Sequence, residues 1–179
     1  MFVNRLAVGI VGLLLFVDPA FAACNEASVD VCFRPGNTSC AARIVDALAG
    51  ARRTVLVQAY GFTNPEIIQA IGAAHRRGVD VRVVLDKTNT PKRDGKPHYT
   101  GATYLANAEV PVRIDEKVAI AHNKVMVIDA ELVIGGSYNF TRSAEDRNAE
   151  NVTFTRSACI AGLYRDNFEK RWKASAPVG

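Results

Sequence analysis

From Cys40 onward the apolar positions switch back and forth between a helical and a strand period, which predicts a layered α/β domain with a mixed β-sheet flanked by helices. "CAARIVDALAGARRT" puts Ile44, Val45 and Leu48 on one helical face and ends near Gly50; "TVLVQAYGF", β-branched and aromatic, follows as a strand. In "NPEIIQAIGAAHRRGVD", Asn64 is a helix cap, Pro65 takes the first helical position and Gly78 lies past the end, ahead of the strand "VDVRVVLD". A helix at "YLANA" and a strand at "VPVRID" come next. The pattern then predicts a strand through "AIAHNKVMVID", a tight turn at "DAE" and a strand in "LVIGGSYNF". The closing segment "CIAGLYRDNFEKRWKAS" spaces Leu163, Tyr164, Phe168 and Trp172 along one helical face, a core pattern more than a ligand cage. "KTNTPKRDGKPHYTGAT", from Lys87 to Thr103, has no apolar period and is expected to be a loop. Its Lys92, Arg93 and Lys96 suit either a basic rim over a substrate or plain solvated surface.

The first 22 residues change the picture, because they read as a removable leader. Arg5 gives the positive start, Leu6 to Val17 an apolar run, and Ala20-Phe21-Ala22 a small-x-small cleavage site. A retained anchor is disfavoured, since the run is about 12 residues and a spanning helix needs about 20. The expected organisation is a signal at 1–22, a cysteine-bearing segment at 23–39 and one domain at 40–179, in a periplasmic or secreted protein. Losing the leader removes Arg5 and Asp18 together, so the formal charge stays at +4. That balance favours polyanions such as nucleic acid or anionic lipid headgroups. Cys24, Cys32, Cys40 and Cys159 all fall in the exported part, where disulfides persist. They lack the paired spacing of common zinc sites. A clasp between Cys32 and Cys40 is expected because Pro35-Gly36-Asn37 can turn the chain back between them; free buried thiols are the alternative.

The chemistry concentrates in "AHNKVMVID". A strand period of two sets His122, Lys124, Met126 and Ile128 on one face, with His122 and Lys124 roughly 7 Å apart. The same period sets Ser137, Asn139 and Thr141 together, with Gly135 and Gly136 permitting close backbone approach, while Asp129 has the opposite parity. A lysine with hydroxyl and amide donors can hold phosphoryl oxygens while a neutral imidazole attacks phosphorus, and no carboxylate cluster is present for a metal. Taken alone, a His-x-Lys pair on a strand is equally an anion contact. His75, in the last turn of its helix, and His98, in the basic loop, have ordinary structural or solvated readings.

The spacing His122-x-Lys124-x4-Asp129, followed by "GGSYNFT" and "AEDRNAEN", resembles the phospholipase D superfamily, in particular its small bacterial periplasmic endonucleases. "VLVQAYGFTNPEI", "RRGVDVRVVLD" and "YLANAEVPVRID" extend the resemblance over nearly all of the mature chain. It implies a metal-independent phosphodiesterase without a cofactor, cleaving DNA or RNA. His122 would be the nucleophile, Lys124, Ser137 and Asn139 the phosphate holders, and Glu150 the acid that orients a histidine; Asp129, the third letter of the motif, is included with a more structural role. The alternatives are a phospholipase D acting on lipid headgroups and a non-catalytic nucleic-acid-binding module. Larger members of the family resemble two fused copies of such a domain, and a two-step displacement needs an acid as well as a nucleophile. A homodimer sharing one site across a two-fold axis is therefore expected.

Overall fold

The computed structural model describes residues 24–178 apart from 94, 95 and 98. The expected leader and His98 lie outside the described residues. Strand β1 (Ser28–Arg34) opens the chain, helix α1 (Cys40–Ala49) follows, and β2 (Thr54–Ala59), α2 (Pro65–Arg76) and β3 (Asp80–Asp86) complete the first half. A short ribbon of β4 (Lys92–Arg93) and β5 (Lys96–Pro97) precedes α3 (Gly101–Asn107) and β6 (Val112–Asp115). Then come the β7 (Lys124–Ile128) and β8 (Leu132–Gly136) hairpin, α4 (Arg142–Asp146), β9 (Glu150–Arg156), α5 (Ala158–Ala174) and β10 (Ala176–Pro177).

Local signals explain the element ends. Ser39 caps α1 through Ala42, and the Asn64 side chain accepts from the N–H groups of Glu66 and Ile67 ahead of Pro65. Gly78 turns the chain out of α2 with a φ of 87°. The "DAE" turn is as expected, with Asp129 and Ala130 both at φ 56°. The segment expected to be a loop contains regular elements among its described residues. Lys92 pairs with Pro97 and Arg93 with Lys96, and α3 starts three residues before "YLANA" because Thr100 and Thr103 form a reciprocal cap.

The main sheet has the order β1-β9-β8-β7-β2-β3-β6-β10. β2, β3 and β6 run parallel to one another through the helical crossovers, and the remaining pairings are antiparallel. The face under α1, α2 and α3 carries the larger core, including Ile44, Ile71, Val57, Met126 and Ile134. The other face packs Leu56, Val84, Val127 and Val133 under Phe168 and Ala161 of α5, with Trp172 alongside. Within the cysteine-bearing segment, β1 pairs with β9 along its whole length. One expectation changes here. Leu163 and Tyr164 do not join Phe168 in the core: they are 63% and 40% exposed, since Ala161 and Phe168 are the α5 residues that the sheet buries fully.

Both disulfides are closed. Cys32–Cys40 is the expected local clasp across eight residues, and Cys24–Cys159 ties the start of the described chain to the first turn of α5 across 135 residues. The second closes the larger loop and so restricts the unfolded chain more. Replacing Cys24 and Cys159 by serine is expected to cost about 2–4 kcal/mol in denaturant unfolding. Peptide mapping without reductant should recover both pairs.

Candidate active site

The site forms where strands end. β8 stops at Gly136, whose φ of 149° and crowded setting leave no room for a side chain: an added Cβ would fall 2.2 Å from the Asn151 carbonyl oxygen. Ser137 and Asn139 are therefore on the loop beyond the strand, and not alternating along it as the period suggested. Thr141 leaves the group altogether, because its hydroxyl caps α4 through Ala144. Gly135 has ordinary room. In the same way β7 starts only at Lys124, and His122 precedes it, exposed, while Lys124, Met126 and Ile128 are buried.

His122, Lys124, Ser137 and Asn139 nevertheless line one cleft of about 830 Å³, together with Gly135, Gly136, Thr153 and the apolar Val29, Val125, Ile160 and Tyr164. The His122 ring meets Tyr60 edge-on, with centroids 4.7 Å apart. The Lys124 ammonium donates to the His122 carbonyl at 2.9 Å and lies over the Tyr60 ring at 5.4 Å. Burial pushes the Lys124 pKa below the usual lysine range, and the Glu150 carboxylate partly opposes that shift. Ser137 donates to Glu150 at 2.5 Å and accepts from the Asn151 N–H at 3.1 Å; the other Glu150 oxygen accepts from Asn148 at 2.8 Å. Neither carboxylate oxygen reaches the imidazole of its own chain. Asn139 accepts from the Gly61 N–H at 3.3 Å, which leaves its NH₂ as the donor end.

Asp129 is elsewhere. It follows the last residue of β7, five residues and about 17 Å from Lys124. Its carboxylate accepts from the N–H groups of Arg52, Arg53 and Thr54. Burial alone would raise its pKa, but these three donors and the Arg53 charge outweigh it and hold the carboxyl below its ordinary value. Asp86 plays a comparable part next to the site. It accepts from Ala121 N–H at 2.7 Å, immediately before His122, and from Thr88 N–H at 2.9 Å. Burial again raises its pKa, and the bonds from Thr88 and Ala121 together with Lys87 lower it further than that.

Tyr60 and Asp86 escaped the sequence reading. Both looked like ordinary strand ends, and only the pairing of β2 with β7, continued by Tyr60 N–H to the Asn123 carbonyl at 2.9 Å, brings Tyr60 beside the histidine. Of the basic trio, Lys96 is exposed and Lys92 and Arg93 lie in the ribbon. His75 is in the last turn of α2 as expected. Among the described residues, no group of three His, Cys, Asp or Glu side chains is clustered to hold a metal.

The sequence model of the family described as "Cardiolipin synthase, PLD-like domain" matches residues 44–172. The chain belongs to the phospholipase D superfamily. It is 38% identical to a protein named phospholipase D from Rickettsia bellii, over 82% of this chain and 70% of that one. A mitochondrial cardiolipin hydrolase from Xenopus laevis is 30% identical over 90% of this chain and 73% of its own length. Among solved structures, Nuc from Salmonella typhimurium, a phospholipase D family member, superposes with a TM-score of 0.77 at 33% identity, covering 85% of this chain and 98% of that one. NucT from Helicobacter pylori shares the fold, with a TM-score of 0.74 at 21% identity and coverage of 85% and 99%. The protein is thus a phosphodiesterase of the phospholipase D superfamily, with an eight-stranded mixed sheet.

Two outcomes are expected. Glu150→Gln removes the charge that supports the Lys124 ammonium, so the alkaline limb of the kcat/KM profile should move to lower pH; an unmoved limb would separate Glu150 from Lys124. Asp129→Ala should cost about 1–3 kcal/mol by orphaning three backbone donors, with turnover per folded molecule retained. Because the Asp129 pKa is lowered, that stability is present above the ordinary carboxylate range and disappears as pH falls through the lowered value. The difference between variant and parent in urea unfolding should accordingly vanish in acid.

Proposed function

We propose that this phosphodiesterase cleaves nucleic acid through a phosphohistidine intermediate, and that its active form is a homodimer. The observation that carries the reading is the His122 ring, exposed and without a hydrogen bond among the described residues, beside a buried ammonium and the amide of Asn139 in one cleft. In the first step an imidazole nitrogen forms a bond to phosphorus while the P–O bond to the leaving group breaks and an acid protonates that oxygen. Lys124, Asn139 and Ser137 supply donors for the non-bridging oxygens as their charge grows. Water then attacks phosphorus, the P–N bond breaks, and the imidazole is freed.

The acid for the first step and the base for the second is His122 of a second copy. The surface around the cleft supports that partner. Val29, Val31 and Phe33 on β1, Ile120 just ahead of the histidine, and Leu163 and Tyr164 on α5 are all exposed, an apolar rim of the kind a partner covers. A two-fold contact there sets like residues opposite each other, so both histidines can approach one phosphate. A basic sequence, with Lys92, Arg93 and Lys96 in the ribbon, supports nucleic acid as substrate, and the two disulfides suit a periplasmic or secreted setting.

Phospholipid headgroups form the second reading. The names of the Rickettsia bellii and Xenopus laevis relatives favour it, and so does the apolar wall of the cleft. Parallel incubation with plasmid DNA, RNA and phosphatidylcholine vesicles in excess EDTA separates the readings. Nucleic-acid cleavage should persist in EDTA and His122→Asn should lose about 10³-fold or more of turnover. Hydrolysis of vesicles alone would establish the second reading. Sedimentation should give an active dimer, and mixed dimers of wild type with His122→Ala should lose multiple turnover; a fully active monomer would remove the shared site.

A further inference from the structure

A second cavity lies between α2 and the start of α3. Its volume is about 370 Å³ and its walls include Thr63, Pro65, Ile68, Tyr99, Thr100 and Tyr104. Its shape follows from one close approach. At Gly101 a Cβ would meet Phe62 Cδ1 at 2.7 Å and Ile68 Cδ1 at 2.8 Å, so only glycine lets α3 begin against that wall. The residue before the Thr100 cap then has to emerge at the rim, and it is Tyr99, 68% exposed. A ring that exposed contributes little to the core. Lys96, three residues before Tyr99 in the chain, is exposed as well.

The cavity is coupled to the site through a short chain of contacts. The Thr100 hydroxyl donates to the Asn89 carbonyl at 3.2 Å, the Asn89 amide donates to the Tyr60 carbonyl at 2.7 Å, and the Tyr60 ring lies edge-on to His122. Thr63 is three residues beyond Tyr60, on the order of 10 Å. A strand advances at least about 3.4 Å per nucleotide, so the cavity falls within a few nucleotides of a phosphate held at His122.

We propose that this cavity is a base-binding subsite, in which Tyr99 stacks on a base flanking the scissile phosphate. The proposal rests on the nucleic-acid reading above. It favours a base over an acyl chain because a nucleic acid places a phosphate on each side of every base. One phosphate would be held at Lys124, and the exposed Lys96, three residues before Tyr99, suits the next. Tyrosine suits the task because stacking tolerates any base, which gives grip without a strong sequence preference.

The test uses the purified full chain with three substrates: a single-stranded DNA oligonucleotide, the same oligonucleotide with one abasic position walked along it, and methyl p-nitrophenyl phosphate as a diester without a base. Tyr99→Ala should lower kcat/KM on the intact oligonucleotide by about 5- to 150-fold, the scale of one stacked base. It should leave methyl p-nitrophenyl phosphate hydrolysis unchanged, and Tyr99→Phe should retain wild-type rates. In the wild type one abasic position should reproduce the loss, and in Tyr99→Ala that position should no longer matter. Equal rates for Tyr99→Ala and wild type on the oligonucleotide, or an equal fall on the baseless diester, overturns the subsite while leaving the nucleic-acid reading standing. A wild type that hydrolyses the small diester and phosphatidylcholine vesicles but no DNA overturns both.

Discussion

Burying the Lys124 ammonium is the constraint around which the site is arranged. A cation at the end of a sheet, largely removed from water, has to be compensated by dipoles and charge from what surrounds it. The His122 carbonyl, the Tyr60 ring and the Glu150 carboxylate supply these from three different parts of the chain. Each also fixes something else. The lysine bond holds the backbone of the residue whose ring is exposed, Tyr60 touches that ring, and Glu150 restrains Ser137. A substrate phosphate entering the cleft would complete the compensation of the lysine, so a charge that burden the free protein becomes useful on binding.

The sheet makes this arrangement possible by ending its strands in the right places. Gly136 lets β8 break against the Asn151 carbonyl, and Asp86 pins Ala121 from the parallel half of the sheet. At the far end of β7, Asp129 ties the hairpin turn to the start of β2. The same strand thus has a structural carboxylate at one end and the reactive pair at the other. That separation explains how one short motif can contain both an element of the fold and the elements of the chemistry.

The apolar rim is the complement of the buried lysine. α5 packs on the sheet through Ala161 and Phe168, and Val29, Val31 and Phe33 of the edge strand β1 stay exposed. Cys24–Cys159 anchors the N-terminal segment to the helix at that edge. The cavity at Tyr99 lies apart from that rim, with Pro65, Ile68 and Tyr104 among its walls.

By itself the sequence determined the elements whose cause is local. The helical periods, the Asn64 cap with Pro65 and Gly78, the "DAE" turn and the Cys32–Cys40 clasp all follow from neighbouring residues, and the motif spacing of His122, Lys124 and Asp129 carried the family resemblance. Tertiary structure decided what depends on distant partners. Strand parity put Thr141 with Ser137 and Asn139, but periodicity has no term for a strand that stops, and the stop at Gly136 comes from the crossing Asn151 carbonyl. Leu163 and Tyr164 had the spacing of a core face, yet burial requires something on the other side, and among the described residues too little lies over them to bury them. Tyr60 and Asp86 became part of the site only when β2 and β3 were laid beside β7 and its approach, because a contact between residues tens of positions apart leaves no trace in local pattern.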